Sequence, residues 1–299
     1  MVSKITSDIR GGAVFSLPWL VARDEGLFAA EKLDVELVHS PKSEGRPPIQ
    51  NPEQVDSRDI HLLFELGQAQ FYRGCEWGQI RRAYDSKLGG HVICKRSAVV
   101  TQSIVVRSDS PYVHPQDLSG VPVAVHFHAG SHYLTLQMLE GFLSRDEINV
   151  VHIPVTAQRY KALLDGMVEA ITVAEPWISL AEKQDCKLIC GAYCLGSEVA
   201  SPGIDLATCA AVDRAIKKAV QLINSDKKRY LHYLIADVPP DMGSLTTENF
   251  HLPRLRYVDP VPYSPEEFNR AFKWMLSWNL IQPDAAFDQV VDNRIAVAS

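Results

Sequence analysis

Residues 162–189 read ALLDGMVEAITVAEPWISLAEKQDCKLI. Ala170–Val173 reads as a strand, between helices at Arg159–Asp165 and Ile178–Gln184, and Lys187–Cys190 as the next strand. Helix and strand signals that alternate like this imply parallel sheet built from right-handed βαβ units. The pattern continues in both directions. Strands are expected at Lys4–Ile9, Leu33–Val38, Ile60–Phe64, Val121–His126 and Asn149–Val155, with one or two more in His91–Val106. Helices are expected at Leu17–Ala30 and Ser131–Leu143, and residues 68–84 read as helical at least in part. The stretch 40–54, rich in Pro, Ser and charge, reads as loop. The last third reads as mostly helical, at Asp213–Asn224, Lys227–Ile235 and Pro265–Trp278.

The chain has 299 residues, is 46% hydrophobic and 22% charged, and carries a formal net charge of −6. That is a chain with a sizeable core in one large domain or two medium ones. Its acidic balance argues against nucleic acid as a partner, because displacing phosphate counterions needs a basic surface. No apolar run reaches the roughly 18 residues of a membrane span. The opening MVSKITSDIRGGAVF shows no basic segment leading into the roughly 7–15 apolar residues of a secretory signal. With residue 1 as the start, the expected location is the cytoplasm; a leader removed upstream would make it the periplasm.

Six cysteines are present, expected as free thiols in a reducing compartment. Cys186, Cys190 and Cys194 recur every four residues. On a strand that spacing puts them about 13 Å apart, too far to share an ion. We therefore expect no metal site. No Rossmann or Walker motif appears, so the sequence names no cofactor.

Three stretches and the helical tail together span most of the chain: LPWLVARDEGLFAAEKLDVELV (17–38), VVRSDSPYVHPQDLSGVPVAV (105–125) and the opening stretch 162–189. Read in order, they resemble the SsuA-like nitrate/sulfonate/taurine substrate-binding proteins, a superfamily that also contains pyrimidine synthases. The EPW at 175–177 after DGMVEA, and the DLSG ahead of a strand, carry the resemblance most specifically. It implies an α/β, type II periplasmic-binding-protein fold, with two α/β lobes joined by two crossover strands. Residues 1–103 and 203–299 would form the first lobe and 104–202 the second, with the ligand in the cleft between them.

Within that expectation VAVHFHAGSHYL (123–134) becomes a strand, a turn and a helix facing the cleft. Ser131 would cap the helix, Gly130 would let a ligand approach the backbone, and the first turn would hold an anion. His128 and His132 are candidates for the cleft wall, and His126 reads as a structural side chain. The stretch HLLFELGQAQFYRGCEWGQIRR (61–82) resembles the enzymatic branch of the superfamily, which includes aryl sulfinate desulfinases. In those enzymes a Cys, a His and an Arg share one cleft. The resemblance assigns the last two to His61 and Arg73. The region 10–17, where the desulfinase cysteine falls, contains none, and Cys75 is the candidate in its place, with Ser16 a weaker one. Arg73 would grip a carboxylate, sulfinate or phosphate in bidentate fashion, beside Gly74. Phe15, Trp19, Trp77 and Trp177 are candidates for an aromatic wall, and Glu175 for the ligand site.

The expected partner is a small anionic organic ligand, aromatic or heterocyclic. Three readings remain open. One is a cytoplasmic lyase or hydrolase using His61 or His132 as acid/base and Cys75 as nucleophile. The second is the solute-binding component of an importer, and the third a ligand sensor.

Overall fold

The computed structural model describes residues 2–9, 11–40, 47–282 and 286–295. Arg10 and part of the expected loop, 41–46, lie outside the described residues. The strands are β1 (Ser3–Asp8), β2 (Leu33–Val38), β3 (Phe71–Cys75), β4 (His91–Lys95), β5 (Ala98–Val106), β6 (Pro122–Val125), β7 (Asn149–His152), β8 (Ala170–Ala174), β9 (Lys187–Cys194), β10 (Gly196–Ala200) and β11 (Leu255–Tyr257). They form two sheets. The first runs β2-β1-β3-β10-β4, and the second runs β11-β5-β8-β6-β7 with β9 also paired to β5.

In the first sheet β1 is parallel to β2 and β3, while β10 is antiparallel to β3 and β4. In the second, β6 is parallel to β7 and β8, and β5 lies antiparallel to β8, β9 and β11. Every residue of β8 is buried. That fits AITVA, a continuous apolar run suited to a strand covered on both faces. The chain passes from the first sheet to the second at Arg96–Ser97, between β4 and β5, and returns at Leu195, between β9 and β10. The two passages touch, because the Arg96 N–H donates to the Gly196 carbonyl at 2.7 Å. The expected lobe division at 103/104 falls inside β5, that at 202/203 falls two residues past β10, and β11 of the C-terminal segment joins the second sheet.

Several elements differ from the sequence reading. The helix expected over 17–30 is two: Ala13–Asp24, then Leu27–Ala30. Gly26 between them is left-handed, at φ 70°, which ends the first helix. The strand expected at Ile60–Phe64 is helical: a 3₁₀ turn over Ser57–His61 leads into Leu62–Glu65. The Asp56 carboxylate starts it by accepting from the Arg58 N–H at 2.9 Å. A short apolar run reads equally as buried strand or buried helix, and here Ile60 and Phe64 bury at helical spacing. Residues 68–84 hold a strand as well as a helix: β3, then Glu76–Asp85.

The 20-residue helix Leu206–Ser225 packs on Ala13–Asp24, and its Cys209, Ala215, Ile216 and Ala219 are fully or almost fully buried. Each large aliphatic or aromatic side chain buried there contributes about 1.5–3 kcal/mol. Near the C-terminus, Pro265–Ser277 opens on a capping box between Ser264 and Glu267. It packs Phe268, Ala271 and Met275 near the helix Glu76–Asp85.

Candidate functional site

The parallel strands β1, β6, β7 and β8 end around one cavity of about 230 Å³. Ligands of open α/β sheets bind beyond the carboxyl ends of such strands. Segments just beyond these ends build the wall: Gly11, Gly12 and Phe15 after β1; His126 and residues 128–131 after β6; residues 154–157 and Arg159 after β7; Glu175 and Trp177 after β8. The end of β3 adds Arg73, Gly74 and Cys75. The first passage between the sheets adds Arg96, the end of β9 adds Cys194, and Asp237 and Pro239 also line the wall. Three helices of at least nine residues begin here, at Ala13, Gly130 and Thr156, and none has a side-chain cap bond at its N-cap residue. Asp237 fills the first of these ends, its Oδ2 accepting from the Ala13 N–H at 2.6 Å.

His61 lines the cavity and is buried. Its Nδ1 stands 3.3 Å from Oδ2 of the fully buried Asp8. The Asp8 carboxylate is held in turn by the Ser40 hydroxyl at 2.6 Å and the Ser40 N–H at 3.2 Å. The imidazole stacks on Tyr72 with centroids 4.2 Å apart. A carboxylate on one ring nitrogen fixes the orientation of the ring and stabilises its protonated form, as in acid/base sites.

Arg73, expected as the anion clamp, stands on the cavity wall with a buried side chain, and its guanidinium is already engaged by the protein itself. Nε donates to Glu198 Oε2 at 3.1 Å, Nη2 to the Ser7 hydroxyl at 2.6 Å, and Nη1 to the Ser16 hydroxyl at 3.2 Å. The guanidinium lies 4.2 Å over the Trp19 ring. Ser16 and Trp19, expected to touch ligand, stand behind the cavity and hold Arg73. Gly74 does line the cavity, and a Cβ there would come within 2.9 Å of Gln79 Oε1.

Cys75 lines the cavity, but burial pushes its thiol up to about 12, although Arg82 and Arg96 pull the other way. It carries its proton at neutral pH, and its Sγ accepts from the Gly78 N–H at 3.2 Å. His132, the other expected acid/base, is 1% exposed and lies outside the cavity wall. Burial, then the neighbouring His128 and His152, pull it down to about 3, so it is neutral. Its Nδ1 accepts from the His128 N–H at 3.3 Å. His128 does line the cavity, with Nε2 bonded to the Pro52 carbonyl at 2.9 Å; burial also lowers its pKa. His126, read as structural, lines the cavity as well.

Ser131 and Gly130 lie on the wall, but the Ser131 hydroxyl does not cap its own helix. It accepts from the His126 N–H at 2.9 Å and so pins the turn. Glu175 is raised above the usual carboxylate range by burial, against the pull of Arg254. The two stand 3.1 Å apart, an ion pair by distance whose angle falls short of a hydrogen bond. Of the aromatic candidates, Phe15 and Trp177 form wall, while Trp77 packs against Tyr133 and Trp274.

The residues that sequence reasoning missed are cationic. Arg82, Arg96 and Arg159 line the cavity and are each more than nine-tenths buried. Their hydrogen bonds go to neutral acceptors: Ser57 and Gln79 for Arg82, backbone carbonyls for Arg96, and Ile153, Pro154 and Thr156 for Arg159. Arg159 carried one legible signal, a cation in the first turn of a helix, where the dipole disfavours it. Among the described residues no group of three His, Cys, Asp or Glu side chains could hold a metal ion, and no helix is long and apolar enough to cross a membrane.

No protein-family model matches the chain, and no curated protein does. Solved structures match over nearly their whole length. The alkanesulfonate-binding protein SsuA from Xanthomonas axonopodis pv. citri, bound to MOPS, superposes with a TM-score of 0.72 at 16% identity, covering 99% of this chain and 97% of that one. The ligand-binding component of an ABC-type import system from Staphylococcus aureus gives 0.74 at 16% identity, with 99% of each chain covered. The desulfurization enzyme DSZB gives 0.62 at 14% identity, covering 99% and 98%. The chain thus has the α/β periplasmic-binding-protein fold, the type II architecture expected from its sequence, and shares it with both SsuA-like sulfonate-binding proteins and a desulfurization enzyme.

Proposed function

We propose that this protein is an acid/base enzyme that acts on a small organic anion bound between its two sheets. The observation that carries the reading is the buried Asp8–His61 pair, whose His61 lines the cavity. His61 moves the proton, and Asp8, fixed by Ser40, holds the ring in place. Arg82, Arg96 and Arg159 give the cavity a positive lining for the anion, and Phe15 and Trp177 offer faces for a flat body. The volume lies below the ~300 Å³ at the low end of most ligand pockets, which favours a compact ligand. A lyase or hydrolase-type bond cleavage assisted by proton transfer is the reaction class. Cys75 is left out of the chemistry, since a nucleophile must be a thiolate and burial opposes that. A cytoplasmic location belongs to the same proposal and is compatible with six cysteines present as free thiols.

The test is mass spectrometry of the purified full chain with aromatic sulfinates, carboxylates and sulfonates. Product that forms with the wild type and is lost in His61→Asn supports the enzyme. A compound that binds and stays intact through prolonged incubation refutes it in favour of the second reading, a solute-binding component. That second reading draws on the protonated Cys75 and on the sulfonate-binding proteins of the same fold.

A further inference from the structure

Arg159 is an unusual cation to find in a protein interior. It is 4% exposed. Nη1 donates to the Ile153 carbonyl at 2.7 Å and the Pro154 carbonyl at 3.2 Å, and Nη2 donates to the Thr156 hydroxyl at 3.2 Å. Nε is buried and has no partner among the described residues. Burial alone pulls the group down to about 10, and it forms no ion pair with any described residue. Burying a guanidinium without a counter-charge is unfavourable, and such groups are normally paired. Another deeply buried arginine of this fold, Arg73, has its carboxylate in Glu198.

Arg159 also stands in the first turn of the helix Thr156–Leu164, which begins at the cavity. Val155 at the N-cap offers no side-chain oxygen, and no acidic residue occupies the first turn. The positive end of the helix therefore adds to the charge of Arg159 instead of offsetting it. Pro154, Val155, Thr156, Ala157 and Arg159 are all cavity wall. A buried donor without an acceptor and an uncapped helix start belong to neighbouring residues of the same cavity wall. What completes both is an oxyanion.

We infer that Arg159 and the start of the helix Thr156–Leu164 form the subsite for the ligand's anionic head group, a single carboxylate, sulfinate or sulfonate. This rests on the reading of the cavity as the ligand site and moves its anchor from Arg73, where the sequence put it, to the second sheet. The Nε–H and an open Nη2 hydrogen meet the oxygen pair of such a head group, in the bidentate geometry that arginine favours. The rest of the ligand then extends toward His61 on the opposite wall.

The test uses the full chain with benzoate, benzenesulfinate and benzenesulfonate, and with neutral benzamide as the uncharged counterpart, by calorimetry and thermal shift. The three anions are expected to bind and raise the melting temperature, and benzamide is not. Preference among them separates planar carboxylate from the sulfur oxyanions. Arg159→Gln is expected to weaken anion binding tenfold or more while melting no lower than the wild type without ligand, since it removes an unpaired buried charge. Arg159→Lys, which keeps the charge without the fork, should fall between. Equal affinity in Arg159→Gln, equal binding of benzamide, or no binding of any anion by the wild type at millimolar concentration each overturns the subsite. His61→Asn separates this inference from the acid/base reading. Probes that bind both proteins without turnover leave the subsite standing and refute the catalysis. Turnover that survives Arg159→Gln unchanged does the reverse.

Discussion

Arg73 and Glu198 face each other across β3 and β10, registered partners in the antiparallel pairing, with Nε 3.1 Å from Oε2. Both side chains are buried, and Trp19 stacks on the guanidinium. The pair ties the middle of the first sheet together beside the cavity, which Arg73 itself lines. Arg73→Ala leaves Glu198 charged and unpaired in the interior, so it should cost about 3–5 kcal/mol of stability. Arg73→Met with Glu198→Gln removes both charges and should recover much of that. Denaturant unfolding of the two variants decides it. A ligand clamp would instead leave Arg73→Ala as stable as the wild type and abolish binding.

Arg82 and Arg96 favour the Cys75 thiolate, yet burial dominates and the thiol stays protonated at neutral pH. Cys75→Ser should therefore keep more than half of whatever turnover the wild type shows. Iodoacetamide should label Cys75 slowly at pH 7 and faster only as the pH climbs toward 12. Activity lost in Cys75→Ser, together with rapid labelling at neutral pH, would show a ligand-induced thiolate and restore covalent chemistry.

His132 is neutral in the folded protein, pulled from 6.5 to about 3. Below pH 6.5 the unfolded chain takes up a proton at this residue that the folded protein refuses until about 3. The stability it contributes is thus complete above 6.5 and is lost as the pH falls toward 3, at roughly 1.4 kcal/mol per pH unit. His128, also lowered, acts in the same direction. Glu76, raised to about 7 by burial, acts in the opposite direction, stabilising below 4.5 and losing that contribution as the pH rises through 7. The comparison is therefore between variants. His132→Gln should flatten the fall in unfolding free energy between pH 6.5 and 4 relative to wild type, and an unchanged slope would place the titration elsewhere.

How much of this was legible in sequence depends on whether the cause is local. AITVA announced β8 because a strand buried on both faces must be apolar throughout. FYRGC did not announce β3, since an arginine in a central strand is tolerated only through Glu198, which lies 125 residues further along. The same distance hid the role of Arg73: a resemblance can mark it as important without saying whether it faces ligand or sheet. His61 was legible as a candidate and does line the cavity, but its Asp8 and Ser40 partners come from other strand ends and could not be read. His132 misled because three histidines in seven residues look like one cluster, whereas the turn sends His126 and His128 to the wall and buries His132 behind it.

Gly78 marks where the helix Glu76–Asp85 comes up against the turn after β6. A Cβ there would lie 2.5 Å from the His128 carbonyl oxygen and 3.0 Å from Cys75 Sγ. The first obstacle is backbone and cannot rotate away. His128 itself is left-handed at φ 61°, and its side chain is tied to Pro52, so the turn has little freedom to retreat. Helix and turn belong to different sheets, and both end at the cavity. Gly78→Ala should thus do two things. It should lower stability by about 1–3 kcal/mol, the usual cost of overpacking. It should also weaken binding of the anion probes, because relief comes from moving the two walls apart. Gly67→Ala is the control: its φ is positive, at 72°, which that of Gly78 is not, but nothing stands within 4 Å of the added methyl, so it should carry backbone strain without a binding defect. Equal loss of affinity in both variants would assign the effect to general destabilisation, and a loss confined to Gly78→Ala would tie ligand affinity to the fit between helix and turn.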